Sequence, residues 1–512
     1  MAGGDRVTLQ PAGAVVQSVD WAAIAPPVLV VLTALVALVS DLWLPRRVAG
    51  VLTAMSVGGV AAALVAVGLL WGEARGTFCL SAEAGELPAC SYVVNEVTLV
   101  FQAVVLAGTL LVLLLAAAEV REHDLPAGEL HFLVLAATVG ALTLAAARDL
   151  ATLVVSLEVV SLPAFALVGL RRGHLRGAEA ALTFFLVSVV SVAVMLYGVG
   201  LVYGATGHLL LDRIAAALAD PAVRTPVATA GVLLTLVGLA FKIGAVPFHA
   251  WIPDTYAGAP VSVAAYLSVV SKAAGLVGLV VVVGQAFPTY SDVWGPAVAV
   301  FAVLTMTVGN VGALRQRSAV RLLAWSSIAQ SGYLLVPLGV ASSGVEGVAL
   351  GDALSATVAY LCIYAAVNLA AFGVVTVVAR NRPAGDLADY RGLVRTEPVS
   401  ALALGFALLC LAGLPPGVAG LWAKVVVLDA AVSGGAGWLA VAVVVNTVIG
   451  LAYYLRWTAL LFATPRDAVP PSYDVPLASA VAVGLAVSVG VVLSVLPQPV
   501  LGLTSSWAVL LG

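Results

Sequence analysis

The sequence predicts an all-α polytopic membrane protein of about fourteen transmembrane helices. Three observations predict it. Of the 512 residues, 62% are hydrophobic and only 10% carry a charge, whereas a soluble domain is nearer half apolar and a quarter charged. The apolar residues gather in runs of about 20, the length that crosses ~30 Å of hydrocarbon. The connections between runs are short, so the runs form one bundle with no stretch left for a soluble domain. The same composition excludes a soluble enzyme and a disordered chain, because too little polar surface remains to cover the apolar mass. A net charge of −3 without a basic patch excludes a nucleic-acid binder.

In chain order the runs are 22–43, 48–71, 96–119, 130–147, 149–171, 178–204, 226–256, 260–285, 293–313, 320–340, 350–379, 397–430, 436–463 and 475–497. The residues before the first run lack a basic segment leading into an apolar one, so they read as a short tail and not as a cleaved signal peptide. Two runs are interrupted. Span 7 carries Pro247 and Pro253 in its second half, and span 12 carries Pro415 and Pro416 at its centre. Proline removes a backbone hydrogen bond and clashes with the preceding turn, so each helix is expected to break. The breaks lie about 168 residues apart, which suggests two five-helix repeats, spans 4–8 and 9–13. An odd number of spans per unit makes such repeats inverted. The expected division is 1–129 for the tail and spans 1–3, 130–285 and 293–463 for the two repeats, and 464–512 for the last span.

Basic residues give the orientation. With the N-terminus outside, fourteen arginines, Arg46, Arg47 and Arg466 among them, fall in cytoplasmic loops. Five fall outside: Arg6, Arg75, Arg148, Arg213 and Arg224. Both termini are therefore expected outside. Cys79 and Cys90 then lie on the oxidising side, with Gly85 and Pro88 between them to permit a turn, and a disulfide is expected there. Cys362 and Cys410 sit inside runs as packing residues. No Cys or His spacing resembles a metal site, and there is neither a phosphate loop nor a nucleophile elbow.

The chemistry is expected from charges inside the runs. All three lysines, Lys242, Lys272 and Lys424, fall inside apolar runs, whereas Arg456 is the only arginine away from a run's end. Arginine keeps its proton at any relevant pH, but a buried lysine shifts its pKa readily. A proton relay needs groups that hold and release, and each mid-membrane charge costs ~2.5–3.5 kcal/mol on insertion scales. The alternative is a snorkelling or structural lysine, which mid-span placement opposes. Glu158 is the one acid near the middle of a run, with Ser161 one turn on. It reads either as the partner of an intramembrane lysine or as a neutral, hydrogen-bonded carboxyl.

Of the histidines, His123, His131, His174 and His208 lie in loops or at run ends and read as solvated. His249 follows Pro247 in the break of span 7, two turns after Lys242. A relay role and a structural hydrogen bond to freed carbonyls both fit it. Asp41, Asp254 and Asp429, at run ends, read as capping or interface residues.

These segments resemble the antiporter-like membrane subunits of respiratory complex I, the proton-pumping NADH-quinone oxidoreductase, and most closely its N-type members. The resemblance rests on SLEVVSLPAFALVGL around Glu158, GLAFKIGAVPFHAWIPDTYAGAPVSVAAYLSVVSKAAG across Lys242 and Lys272, and VGNVGALRQRSAVRLLAWSSIAQSGYLLV. It continues with YAAVNLAAFGVV, LAGLPPGVAGLWAKVVVLDAA around Lys424, and NTVIGLAYYLR. It implies fourteen spans, inverted repeats and proton pumping coupled to quinone reduction elsewhere in the complex. By position, Glu158 resembles the family's span-5 carboxylate, Lys242 its span-7 lysine, Lys272 its central span-8 lysine and Lys424 its exit-side residue. His249 resembles the histidine of its broken helix. Span 12 carries Lys424 where M-type members have Glu, and the sequence lacks the lateral-helix extension of L-type members.

The resemblance further implies that NADH, FMN, iron–sulfur clusters and quinone belong to the parent complex, with no cofactor in this chain. It implies a bacterial cell membrane, an M-like subunit on one side and small K- and J-like subunits on the other. Two positions depart from the family pattern: Thr183 stands where N-type members often have Lys, and Gln330 where many have His. Neither titrates near neutral pH, so Glu158 would pair with Lys242 and the middle of the relay would depend more on water. A subunit of a multi-subunit Na⁺/H⁺ antiporter, similar in spans 4–13, is the alternative, and a membrane scaffold with an inactive relay is a third.

Overall fold

A computed structural model describes residues 19–44, 49–79, 89–122, 125–342, 348–382, 385–464 and 475–505. Arg6, Arg46, Arg47, Gly85, Pro88, His123 and Arg466 lie outside the described residues. Every run read from the sequence contains a helix, and among the described residues eleven helices are long and apolar enough to cross a membrane. The chain begins with α1 (Ala25–Asp41), α2 (Ala49–Leu69), α3 (Glu96–Glu122), α4 (Ala127–Ala146), α5 (Leu150–Val168) and α6 (Leu175–Thr206). A short surface helix, α7 (Leu211–Leu218), precedes α8 (Pro226–Ile243) and α9 (Trp251–Gly258), the two halves of span 7. Span 8 is α10 (Val261–Tyr266) and α11 (Lys272–Val281), joined through a π-turn. There follow α12 (Ser291–Leu314), α13 (Ala319–Leu335), α14 (Leu350–Asn381) and α15 (Leu393–Thr396). Span 12 is α16 (Pro398–Ala412) and α17 (Val418–Ser433), and α18 (Gly437–Phe462), α19 (Leu477–Val495) and α20 (Gln498–Ser505) complete the order.

Lipid tails are as apolar as the helices, so close backbone approach and internal hydrogen bonds hold the bundle together. At Gly198 a Cβ would stand 2.4 Å from the backbone nitrogen of Thr235, so the glycine lets α6 lie directly on α8. Gly309 does the same between α12 and α13, where Ala329 N is 2.4 Å away. Helix starts are capped from the sequence: Asp149 accepts from Thr152 N (2.8 Å) at α5, and Thr225 accepts from Ala228 N (3.3 Å) at α8, with Pro226 in the first turn. Every residue from Ser262 to Gly284 is buried, which makes span 8 the axis of the bundle.

Three features were not legible in the runs. Strands β1 (Arg75–Cys79) and β2 (Cys90–Val94) form an antiparallel hairpin in register Cys79↔Cys90, which holds the disulfide expected between these two cysteines. The hairpin folds over the α4–α5 turn, where Arg148 N donates to Ser91 O (2.9 Å). Arg148, expected in an outer loop, is consequently buried. Its guanidinium donates to Ala147 O (2.8 Å), Ala145 O (3.2 Å) and Thr98 Oγ1 (3.1 Å), and burial pushes its pKa down to about 10, so it stays charged near neutrality. His131, expected to be solvated, is fully buried, because α2 packs across the first turns of α4. Its Nδ1 lies 2.7 Å from Ala127 O and its Nε2 3.2 Å from Thr53 Oγ1.

Glu119, near the end of α3, is buried and capped by the start of span 8. Oε1 accepts from Val261 N (3.0 Å), and Oε2 accepts from Ser262 N (3.0 Å) and from the Ser262 hydroxyl. Glu119→Ala strands these donors at about 1–3 kcal/mol per buried group. The expected outcome is a lower thermal midpoint and less assembled protein, measured by thermal unfolding and native electrophoresis, with Glu119→Gln intermediate.

Candidate functional site

Both interrupted spans end their first half in the same way. At Gly244 and Gly413 the backbone turns left-handed (φ 81° in each), a conformation that favours glycine. Gly244 and Ala245 N–H both return to Ala240 O, and Gly413 and Leu414 N–H both return to Leu409 O. The turns at Gly244 and Gly413 are buried, whereas Pro247, Pro415 and Pro416 just beyond them are exposed; the buried polar groups freed at the turns need partners. At the first, Val246 N donates to Thr305 Oγ1 (2.9 Å) and the Ser331 hydroxyl donates to Ile243 O (2.8 Å), so α12 and α13 serve the break in α8–α9. At the second, the partner is an amine: Lys424 Nζ donates to Ala412 O (2.7 Å) and Leu411 O (3.2 Å).

The other two lysines are also buried and hydrogen-bonded. Lys242, in the last turn of α8, donates to Ser161 Oγ (3.0 Å). Its stem lies against Gly275, where a Cβ would stand 2.9 Å from Lys242 Cγ. Lys272 follows the π-turn of span 8 and donates to the carbonyl and hydroxyl of Ser327, the latter at 2.5 Å. Its amine also lies 5.3 Å from the centre of the Tyr364 ring. Ser331 lies between the break and the Lys272 acceptor: its Oγ is 2.8 Å from the carbonyl oxygen of Ile243, the residue after Lys242, and 3.1 Å from Ser327 O, which accepts from Lys272.

Between Lys272 and Lys424 lies a cavity lined by Gln330, Tyr360, Tyr364, Leu411, Ala423 and Lys424, among others. About 10 Å³ of it is open to the centre of a water molecule, room for one water. Gln330 is held at both ends, accepting from Tyr360 Oη (2.5 Å) and donating to Tyr454 Oη (3.2 Å), which also contacts Ser326 Oγ (2.6 Å).

Glu158 sits on α5 one turn before Ser161, half-buried, with Oε1 unpartnered. Its charge and that of Lys242 act on one another, but the Lys242 amine bonds Ser161 and not the carboxylate. His249 does not share a helical face with Lys242, because α8 ends at Ile243. Its ring meets Trp325 edge-on at 5.7 Å and its Nδ1 is buried without a partner. Thr183 is exposed on α6, away from the axis. Asp254 pairs with Arg321 at 2.9 Å on the surface, joining α9 to α13. Sequence reasoning missed Ser327, Ser331, Tyr360, Tyr364 and Glu119. The signal was present: polar residues spaced one turn apart inside apolar runs, Ser327–Ser331 on α13 and Tyr360–Tyr364–Asn368 on α14. Among the described residues no cluster of His, Cys, Asp or Glu can hold a metal ion.

A bundle of membrane helices with two broken spans and a buried row of hydrogen-bonded amines defines a transporter-type membrane subunit. The family described as "NADH:quinone oxidoreductase/Mrp antiporter, TM" matches residues 147–450. NADH-quinone oxidoreductase subunit N 2 of Streptomyces griseus is 54% identical over 96% of this chain and 95% of its own length. Subunit N of Salinispora tropica is 46% identical over 89% and 88%. Among solved structures, a chain of respiratory complex I from Thermus thermophilus is 31% identical, with a TM-score of 0.75 over 93% of this chain and 98% of its own. A chain of the Mrp complex from Dietzia sp. shares the fold, with a TM-score of 0.81 at 22% identity over 96% and 97%. The chain belongs to the antiporter-like membrane subunits of NADH-quinone oxidoreductase, in the subunit N family.

At Gly420 a Cβ would stand 1.6 Å from Cys410 O, so this glycine lets α17 close on α16 and bring Lys424 to the freed carbonyls. Gly420→Ala forces the halves apart, at a cost of about 1–3 kcal/mol or more for overpacking. Assembled protein on native gels should fall, whereas Gly437→Ala, with open space at its Cβ, should leave it unchanged.

Proposed function

We propose that Glu158, Lys242, Lys272 and Lys424 pass protons through the membrane, with His249 at the break of span 7. The chain is a proton-translocating membrane-arm subunit of NADH-quinone oxidoreductase, and electron transfer takes place elsewhere in the complex. The observation that carries the relay is the set of three buried amines, each on neutral acceptors. Every lysine amine is held by neutral oxygens, Ser161, Ser327 or the Leu411 and Ala412 carbonyls. Neutral acceptors hold an amine without locking it into an ion pair whose separation is costly. A signal from the quinone end shifts the balance at Glu158 and Lys242, then at Lys272, then at Lys424.

The twin glycine turns support reading 130–285 and 293–463 as inverted repeats. The reading places an M-like subunit on one flank and small K- and J-like subunits on the other, in a bacterial cell membrane, with all redox groups in the parent complex.

Lys272→Ala in the assembled complex, reconstituted in vesicles, should lower the protons pumped per NADH while electron transfer with a protonophore continues. An undiminished ratio removes Lys272 from the relay. A sodium-dependent pH gradient would select an Na⁺/H⁺ antiporter subunit instead.

The orientation proposed has both termini outside, which puts the Cys79–Cys90 hairpin on the outer face. In intact spheroplasts a membrane-impermeant maleimide should label these cysteines only after reduction. Labelling confined to inverted vesicles reverses the orientation.

A further inference from the structure

We propose that the Tyr364 hydroxyl is a proton-carrying switch between Lys272 and Lys424, which rests on the relay reading above. Tyr360, Tyr364 and Asn368 recur every fourth residue on one face of α14, the face turned to span 8 and α13. Tyr364 is buried, touches Ser327 Oγ at 2.9 Å and donates to Ser268 O at 3.1 Å. It also lines the cavity shared with Lys424.

The direction of these bonds follows from proton counting. A phenol has one proton and a carbonyl has none, so the Tyr364 proton is the one pointing at Ser268 O. The Ser327–Tyr364 contact must then use the proton of Ser327. Ser327 in turn accepts from Lys272. The hydrogen bonds therefore run one way: Lys272 N–H to Ser327 Oγ, Ser327 O–H to Tyr364 Oη, Tyr364 O–H to Ser268 O. Ser268 O lies in the π-turn, and its α-helical donor is diverted: Lys272 N–H bonds Val269 O. The π-turn before Lys272 thus supplies a parking place for the Tyr364 proton.

Rotation about one bond moves that proton from Ser268 O to the cavity, where Gln330, Tyr360 and Lys424 supply polar walls for a single water. In that position the relay closes. Lys272 gives one proton to Ser327, Ser327 passes its own to Tyr364, Tyr364 passes its own to the water, and the water passes one to a neutral Lys424. One proton leaves Lys272 and one arrives at Lys424; both hydroxyls and the water keep their count, and no electron moves. With the phenol turned back to Ser268 O, the path is open-circuit.

The test is Tyr364→Phe in the assembled complex, reconstituted in vesicles beside Lys272→Ala. Phenylalanine keeps the ring next to Lys272 and removes only the hydroxyl. The expected result is a proton-per-NADH ratio lowered to the Lys272→Ala level, with the protonophore-released electron-transfer rate equal to that of the unsubstituted complex. A merely structural role would slow both. An unchanged ratio in Tyr364→Phe, with Lys272→Ala lowered, overturns the switch and leaves the relay standing. Unchanged ratios in both overturn the relay itself. Should Tyr364→Phe fail to assemble, Ala423→Leu decides: it fills the water position beside Lys424 and leaves every hydroxyl in place. A ratio at the Lys272→Ala level supports the path through the cavity, and an unchanged ratio refutes it.

Discussion

An amine held inside hydrocarbon must be given acceptors, because an unsatisfied buried polar group costs several kcal/mol. This requirement shapes the centre of the molecule. Among the described residues no lysine is ion-paired; each points its Nζ at a hydroxyl or a backbone carbonyl. Such oxygens serve a charged and a neutral amine alike. A carboxylate at bonding distance would favour the charged form and make release costly. Glu158 stands near Lys242 but off its bonding shell, with Ser161 taking the amine.

Defects in helices supply further acceptors to this network. The break between α16 and α17 exposes two carbonyls, and Lys424 occupies them. The break between α8 and α9 exposes Ile243 O, and a hydroxyl from α13 occupies it, joining the break to the acceptor of Lys272. The π-turn before Lys272 leaves Ser268 O for Tyr364. The same backbone device is thus used three times with different partners. Defects of this kind survive in a membrane only where protein surrounds them, and span 8, the most deeply enclosed, carries the central amine.

Much of this was legible beforehand. The apolar runs, the two proline breaks, the three intramembrane lysines and Glu158 are one-dimensional signals, since span length, proline chemistry and the cost of a buried charge act locally. What was not legible involves groups far apart in the chain. His131 and Arg148 looked like loop residues and are buried, because α2 and the β1–β2 hairpin fold over them. His249 and Lys242 looked like one helical face, but the helix ends between them.

The sequence by itself determined that the chain spans a membrane many times, where two spans break, and which residues carry charge into the interior. Each of these follows from residue type and local spacing. Only the tertiary structure decided what each amine touches, that Ser331 sets the Ile243 carbonyl next to the Ser327 acceptor of Lys272, and that a one-water cavity lies between Tyr364 and Lys424. The reason is physical: hydrogen bonds reach about 3 Å, and which groups come that close depends on how distant helices pack.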